Sequence, residues 1–217
     1  MRNIMLKEMK LSASPLSYFF ILFGFMFFLP GYPILCGAFF TTLGIYQGFL
    51  NAREANDIEF SALLPISKRE VVKGKYMFVS FIEACSLILM LISALIRMTA
   101  LSDSAVYQAN AMMNANLFAV GCAFFVFGLF NVIFLGFFFK TAYNMGRPFI
   151  TYIIVVFLVI GAFEALHHIP GFDIVNSFGF DHFGFQVAML FAGFAAFLIM
   201  TALSYKRACE SFEKIDL

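Results

Sequence analysis

Arg53–Lys75 reads REANDIEFSALLPISKREVVKGK and holds nine of the chain's 27 Asp, Glu, Lys and Arg residues in 23 positions. Stretches long and apolar enough to cross a bilayer flank it on both sides. A polar island between such stretches is where a membrane protein meets material in water. Its inner pattern is specific. Glu54, Asp57 and Glu59 alternate with Ile58 and Phe60, and Leu63-Leu64 follow. Pro65 breaks any helix there, because it lacks an N–H and crowds the preceding turn. Ser67-Lys68-Arg69-Glu70 has capping-box spacing, so a new helix starts at Lys68. The expectation is a short helix, a proline turn and a capped helix. Acids mixed with Phe60, Leu63 and Leu64 expose apolar groups rimmed by charge, the mark of a protein contact.

Composition sets the solvent. Of 217 residues, 62% are hydrophobic and 12% charged, and Phe occurs 33 times. Soluble domains average about 25% charged residues. A chain of this size cannot hide so much apolar surface in a core, so lipid is part of its surroundings. A net charge of +1 gives no general attraction to nucleic acid. Cys36, Cys85, Cys122 and Cys209 form no CxxC pair and read as small hydrophobes. The first apolar run shows no cleavage site of the signal-peptide kind.

Six spans are expected, at 12–29, 34–51, 76–97, 114–139, 149–166 and 184–204. Residues 2–11 alternate basic and apolar positions and suit a helix lying in the headgroup region. Pro30-Gly31-Tyr32-Pro33 is a turn. Six spans place thirteen of the fourteen Lys and Arg residues on one side, with Arg97 alone on the other. By the positive-inside rule both termini and the 53–75 segment are cytoplasmic. Gly44 with Gly48, Gly121 with Gly128, and the row Ala188, Ala192 and Ala196 are sites of close helix approach.

Residues Leu64 to Tyr76, LPISKREVVKGKY, resemble the motif of ABC-2 type transporter permeases. The likeness is greatest to the small bacterial subgroup that includes the phenol-soluble modulin exporter permease. The acids before Leu64-Pro65 are similar to that subgroup too, as are Phe137-Phe138-Phe139-Lys140 and Gly146-Arg147. The resemblance implies an all-α membrane permease whose 53–66 segment is a coupling helix seated on a separate ATPase. Glu54, Asp57, Glu59, Phe60, Leu63, Leu64, Pro65, Ser67 and Lys68 would carry that contact and its transmission into the third span. It further implies two ATP-binding subunits, a second permease copy or a sister permease, and a re-entrant segment at 167–183. ATP and magnesium would sit on the partner, and this chain would hold no cofactor.

The residues agree that ATP is bound elsewhere, since there is no GxxxxGK[ST]. There is no HExxH either. His167, His168 and His182 with Asp173 and Asp181 lack metal-ligand spacing and read as solvated loop residues. Glu83 and Glu164 fall inside spans, where a charge at mid-helix costs roughly 2.5–3.5 kcal/mol. Glu83 is expected to face the bundle interior with a partner, which leaves open whether it lines a pathway. Arg97 either snorkels or pairs with Glu164. Asn131 reads as an interhelical hydrogen bond. Two other classes stay open. An intramembrane hydrolase would need Glu83 or Glu164 beside a histidine, and a non-transporting immunity or sensor protein would need no ATPase. The cargo of an exporter with Phe-rich walls would be a hydrophobic or amphipathic peptide, lipid or drug.

Overall fold

The computed structural model describes residues 6–62, 65–141 and 144–215, and gives no side-chain placement for Leu11, Ser12, Ile58, Glu59 and Ala62. The described chain is helical and contains no strand. Its main elements are α1 (Glu8–Ser12, π-wound), α2 (Pro15–Phe28), α3 (Cys36–Glu54), α4 (Asp57–Ala62), α5 (Lys68–Thr99), α6 (Leu117–Thr141), α7 (Gly146–Leu166) and α8 (Phe183–Phe212).

Four of these, α5 to α8, are long and apolar enough to cross a membrane. The protein is therefore a multi-pass membrane protein. The first two expected spans take a different form. In α2 the α-helix of Pro15–Phe19 tightens into a 3₁₀ helix over Phe20–Phe28. The tighter winding rises about 2.0 Å per residue, so α2 reaches about 25 Å instead of the 21 Å of an α-helix. Helix α3 has 19 residues, about 28 Å. Both fall just short of the roughly 30 Å hydrocarbon core.

Helix α6 is the centre of the bundle. Of its most apolar window 72% is buried, against 22% for α7 and 11% for α8. Its phenylalanines make the core. Phe134 packs edge-on to Tyr46, Phe49 and Phe149 and stacks with Phe130 and Phe138. Phe118, Phe127, Phe130, Phe134 and Phe139 are all fully buried. These phenylalanines are therefore internal packing and not a cargo-facing wall.

Close approach follows small residues. A Cβ on Gly193 of α8 would overlap the Gly121 carbonyl oxygen, so the two backbones touch there. A Cβ on Gly44 would lie 2.5 Å from the Phe20 Cβ of α2. The alanine row behaves otherwise. Ala188 and Ala192 are exposed, and α8 meets α6 through Gly193 instead.

The capping box forms as its spacing requires. Ser67 N–H donates to Glu70 Oε2 at 2.8 Å, and Glu70 N–H donates to Ser67 Oγ at 3.3 Å. Helix α5 starts at Lys68. Its 22-residue separation of Lys75 from Arg97 spans about 33 Å, close to one hydrocarbon thickness.

Candidate functional site: the charged end of the bundle

Helix α3 ends at Glu54, and Asn56 turns the chain with φ of 50°. Asn is among the few residues besides Gly that adopt this left-handed conformation readily. The turn aims α4 back toward α1 and α5. Asp57 and Ser61, one turn apart, share the inward face of α4.

Four charged side chains meet there. Lys75 Nζ lies 2.5 Å from Glu8 Oε2 and 2.7 Å from Asp57 Oδ2. Lys7 Nζ lies 3.1 Å from Glu8 Oε1 and 2.7 Å from Asp57 Oδ1. Each acid thus touches both lysines. Glu8 is 0% exposed, Lys75 2% and Asp57 5%. Lys7 Nζ also donates to Ser61 Oγ, and Ser61 Oγ donates to the Asp57 carbonyl. The Lys75 ammonium stands 5.6 Å from the Phe49 ring centre. Three separate segments, α1, α4 and the start of α5, are joined at this one point.

Electrostatics fit the geometry. Burial pushes the Asp57 carboxyl up, but Lys75 and Lys7 together outweigh it and hold it below the ordinary carboxylate range. Burial pulls the Lys7 ammonium down, and Glu8 and Asp57 more than reverse this. Asp57 and Lys7 are therefore ionised near neutral pH.

Asp57 corrects one sequence-based expectation. The sequence groups it with Glu54 and Glu59 as acids facing a partner, whereas its side chain is turned inward and paired with Lys7 and Lys75. Glu54 and Phe60 do face outward, Phe60 at 48% exposure. Pro65 and Ser67 are exposed. Lys68 Nζ donates to the Ile215 carbonyl, and Arg69 forms a two-point pair with Glu213. These contacts draw the tail of α8 over the start of α5. Leu63 and Leu64 lie outside the described residues, as does the Glu59 side chain.

A family model described as "ABC-2 family transporter protein" matches residues 3–213. The chain belongs to the ABC-2 family of transporters. Membership makes it a membrane subunit of an ATP-binding-cassette transporter and not itself the ATPase, and such permeases generally work with ATP-binding-cassette partners. No curated protein and no solved structure gives a significant match.

The intramembrane polar residues of this ABC-2 permease separate into two groups. Glu83 of α5 and Asn131 of α6 meet, with Asn131 Nδ2 donating to Glu83 Oε2 at 3.2 Å and to Thr201 Oγ1 of α8 at 3.0 Å. Helix α6 is π-wound over Asn131–Leu135. Arg97 and Glu164 lie at the opposite end of the bundle and are not paired. Arg97 donates to the Phe27 carbonyl at 3.0 Å and to Asn114 Oδ1 at 2.7 Å, and sits 3.9 Å from the Tyr107 ring centre. Glu164 accepts from the Met113 N–H. The Arg97 charge is met by neutral dipoles and an aromatic face, which the sequence expectation of snorkelling or an ion pair did not foresee.

Segment 167–183 is pinned from within. Asn114, Asn116 and Gln186 supply amide hydrogen bonds to the carbonyls of Val175, Ser177, Gly179 and Asp181. Among the described residues no group of three or more His, Cys, Asp or Glu could hold a metal ion.

Proposed function

We propose that this chain is the permease subunit of an ATP-driven exporter, with α4 as the coupling helix that receives the stroke of a separate ATPase. The observation that carries the reading is the two-sided construction of α4. Its inner face is bound through Asp57 to Lys7 and Lys75, and Glu54 and Phe60 face outward beside it. A partner seated on the outer side would push a helix that is already joined to the base of α5. Glu59, Leu63 and Leu64 belong to the same docking segment by sequence, with Pro65 and the Ser67 cap dividing it from α5. Lys68 transmits movement from the cap to the tail of α8.

Six spans complete this reading, with α2 and α3 crossing a locally thinned bilayer and residues 167–183 forming a re-entrant cap. Both termini and α4 lie in the cytoplasm, in keeping with the Lys and Arg distribution. A second copy or a sister permease completes the pathway in the cell membrane. ATP and magnesium stay on the ATPase, and the cargo is hydrophobic or amphipathic. The likeness of Leu64–Tyr76 to the small bacterial subgroup with the phenol-soluble modulin exporter permease supports the same reading.

The test is copurification of the full chain with an ATP-binding-cassette ATPase from its own cell. Glu54→Lys with Phe60→Ala should abolish the complex and leave the permease folded. An intact complex with undiminished ATP-dependent export would remove α4 as the docking surface.

A further inference from the structure

Helix α5 places Glu83 eight residues beyond Lys75, about 12 Å deeper along its axis. The carboxyl is 0% exposed and makes no salt bridge among the described residues. Only its Oε2 is satisfied, by Asn131 Nδ2. Among the described residues its Oε1 has no hydrogen-bond partner, and neither has Asn131 Oδ1.

The Asn131 amide and the nearby Ser204 and Tyr76 hydroxyls are already committed. Both protons of Asn131 Nδ2 are used, one on Glu83 and one on Thr201. Ser204 Oγ donates to the Asn131 main-chain carbonyl. Its single proton is then spent, so the Tyr76 hydroxyl, 2.6 Å away, donates to Ser204. Two buried acceptors, one on each residue of a bonded pair, are thus left without a proton. A proton on Oε1 directed at Asn131 Oδ1 would satisfy both, because a carboxylic acid and a primary amide are complementary at two points.

We infer that Glu83 is a buried proton-binding site: its Oε1 carries a hydrogen that Asn131 Oδ1 accepts, closing a two-point bond between α5 and α6. The bond is reinforced from α8 by Thr201 and Ser204. Its position at the π-wound turn of α6 is a second sign of function, since such turns recur at working sites. The titratable groups that feel Glu83 are Tyr76 on α5 and Tyr152 on α7. Phenols stay neutral over the physiological range. The groups facing it from α6 and α8 are the amide of Asn131 and the hydroxyl of Thr201. No described cation competes for the site.

The consequence is a proton linked to helix separation. If α5 parts from α6 and α8 and water enters, the hydrated carboxyl transfers its proton to water and becomes a carboxylate. Closing the helices requires the proton to return and the Oε1–H bond to re-form. Acidic conditions therefore favour the closed arrangement. This inference concerns the chain alone and does not depend on which ATPase binds it.

The test uses the purified full chain in lipid nanodiscs. Infrared difference spectra of wild type minus Glu83→Gln at about pH 7.5, near the physiological range, should contain the C=O stretch of a protonated carboxyl, shifted in D₂O. Asn131→Ala should move that band as its acceptor is lost. Gln keeps the size, neutrality and two-point pairing of the acid, so Glu83→Gln should fold and melt like the wild type. The inference is overturned by any of three results: a difference spectrum with carboxylate bands only, a band insensitive to Asn131→Ala, or a Glu83→Gln protein that does not fold.

Discussion

Replacing Asp57 with Asn keeps the shape of the side chain and removes one charge from the quartet at the base of α5. The carboxylate has one lysine nitrogen at 2.7 Å from each oxygen. At an effective dielectric of about 20, each contact is worth roughly 6 kcal/mol before desolvation is counted. Desolvation offsets several kcal/mol per ion, and the residual cost of breaking a buried pair is about 3–5 kcal/mol. Two lysines would then share Glu8 alone in a site almost closed to water. For a chain of this length about 1 kcal/mol shifts the midpoint by roughly 2–4 °C, so the loss should be on the order of 10 °C.

The chain has no Trp, but four free cysteines, of which Cys122 and Cys209 are buried. Thermal exposure of thiols to a reactive dye, in nanodiscs, is a suitable assay. Lys75→Met should lose a similar amount, and Asp57→Leu with Lys75→Met should recover part of it, because the remaining Lys7–Glu8 pair is balanced. A midpoint for Asp57→Asn within about 1 °C of wild type, which is under 1 kcal/mol, would refute the argument. So would a double variant no better than the worse single one.

The same quartet sets a pH window. Asp57 is held below its ordinary range, so its contribution is present above that range and is lost as pH falls through the folded value. Lys7 is raised, so its contribution is present at neutral pH and is lost as pH rises through the folded value. Stability should be flat across neutral pH and fall at both extremes, with a smaller acid limb in Asp57→Asn; circular dichroism against pH would show it. Gly193→Ala should force α8 away from α6, since the new methyl would meet the Gly121 carbonyl. Overpacking of this kind costs about 1–3 kcal/mol, read as a lower melting midpoint. Arg97→Met should free Asn114 Oδ1 and the Phe27 carbonyl together, a loss of about 2–4 kcal/mol. It should also speed proteolysis of the 100–116 connection. Glu213→Ala should change melting little, because the pair with Arg69 is exposed.

The sequence by itself determined the membrane class, the start of α5 and the family. Composition and hydropathy respond to the solvent a chain must live in. A capping box is complete within four residues, and the Leu64–Tyr76 motif within thirteen. Only the tertiary structure decided what Asp57, Arg97 and Glu83 do. Asp57 looked like a surface acid because its partners, Lys7 and Lys75, stand 50 and 18 positions away, and alternation in a short segment does not say which face turns inward. Arg97 has no carboxylate to point to it, since a carbonyl, an amide and a ring face carry no charge pattern in sequence. Glu83 could be expected to find a partner, because hydrocarbon penalises a lone acid. That the partner would be Asn131, with one proton missing between them, depends on how α5, α6 and α8 cross. The polar stretch from Arg53 to Lys75 shows the same division. Its breaks and caps are local and legible, but the side on which it is bound depends on α1, from the far end of the chain.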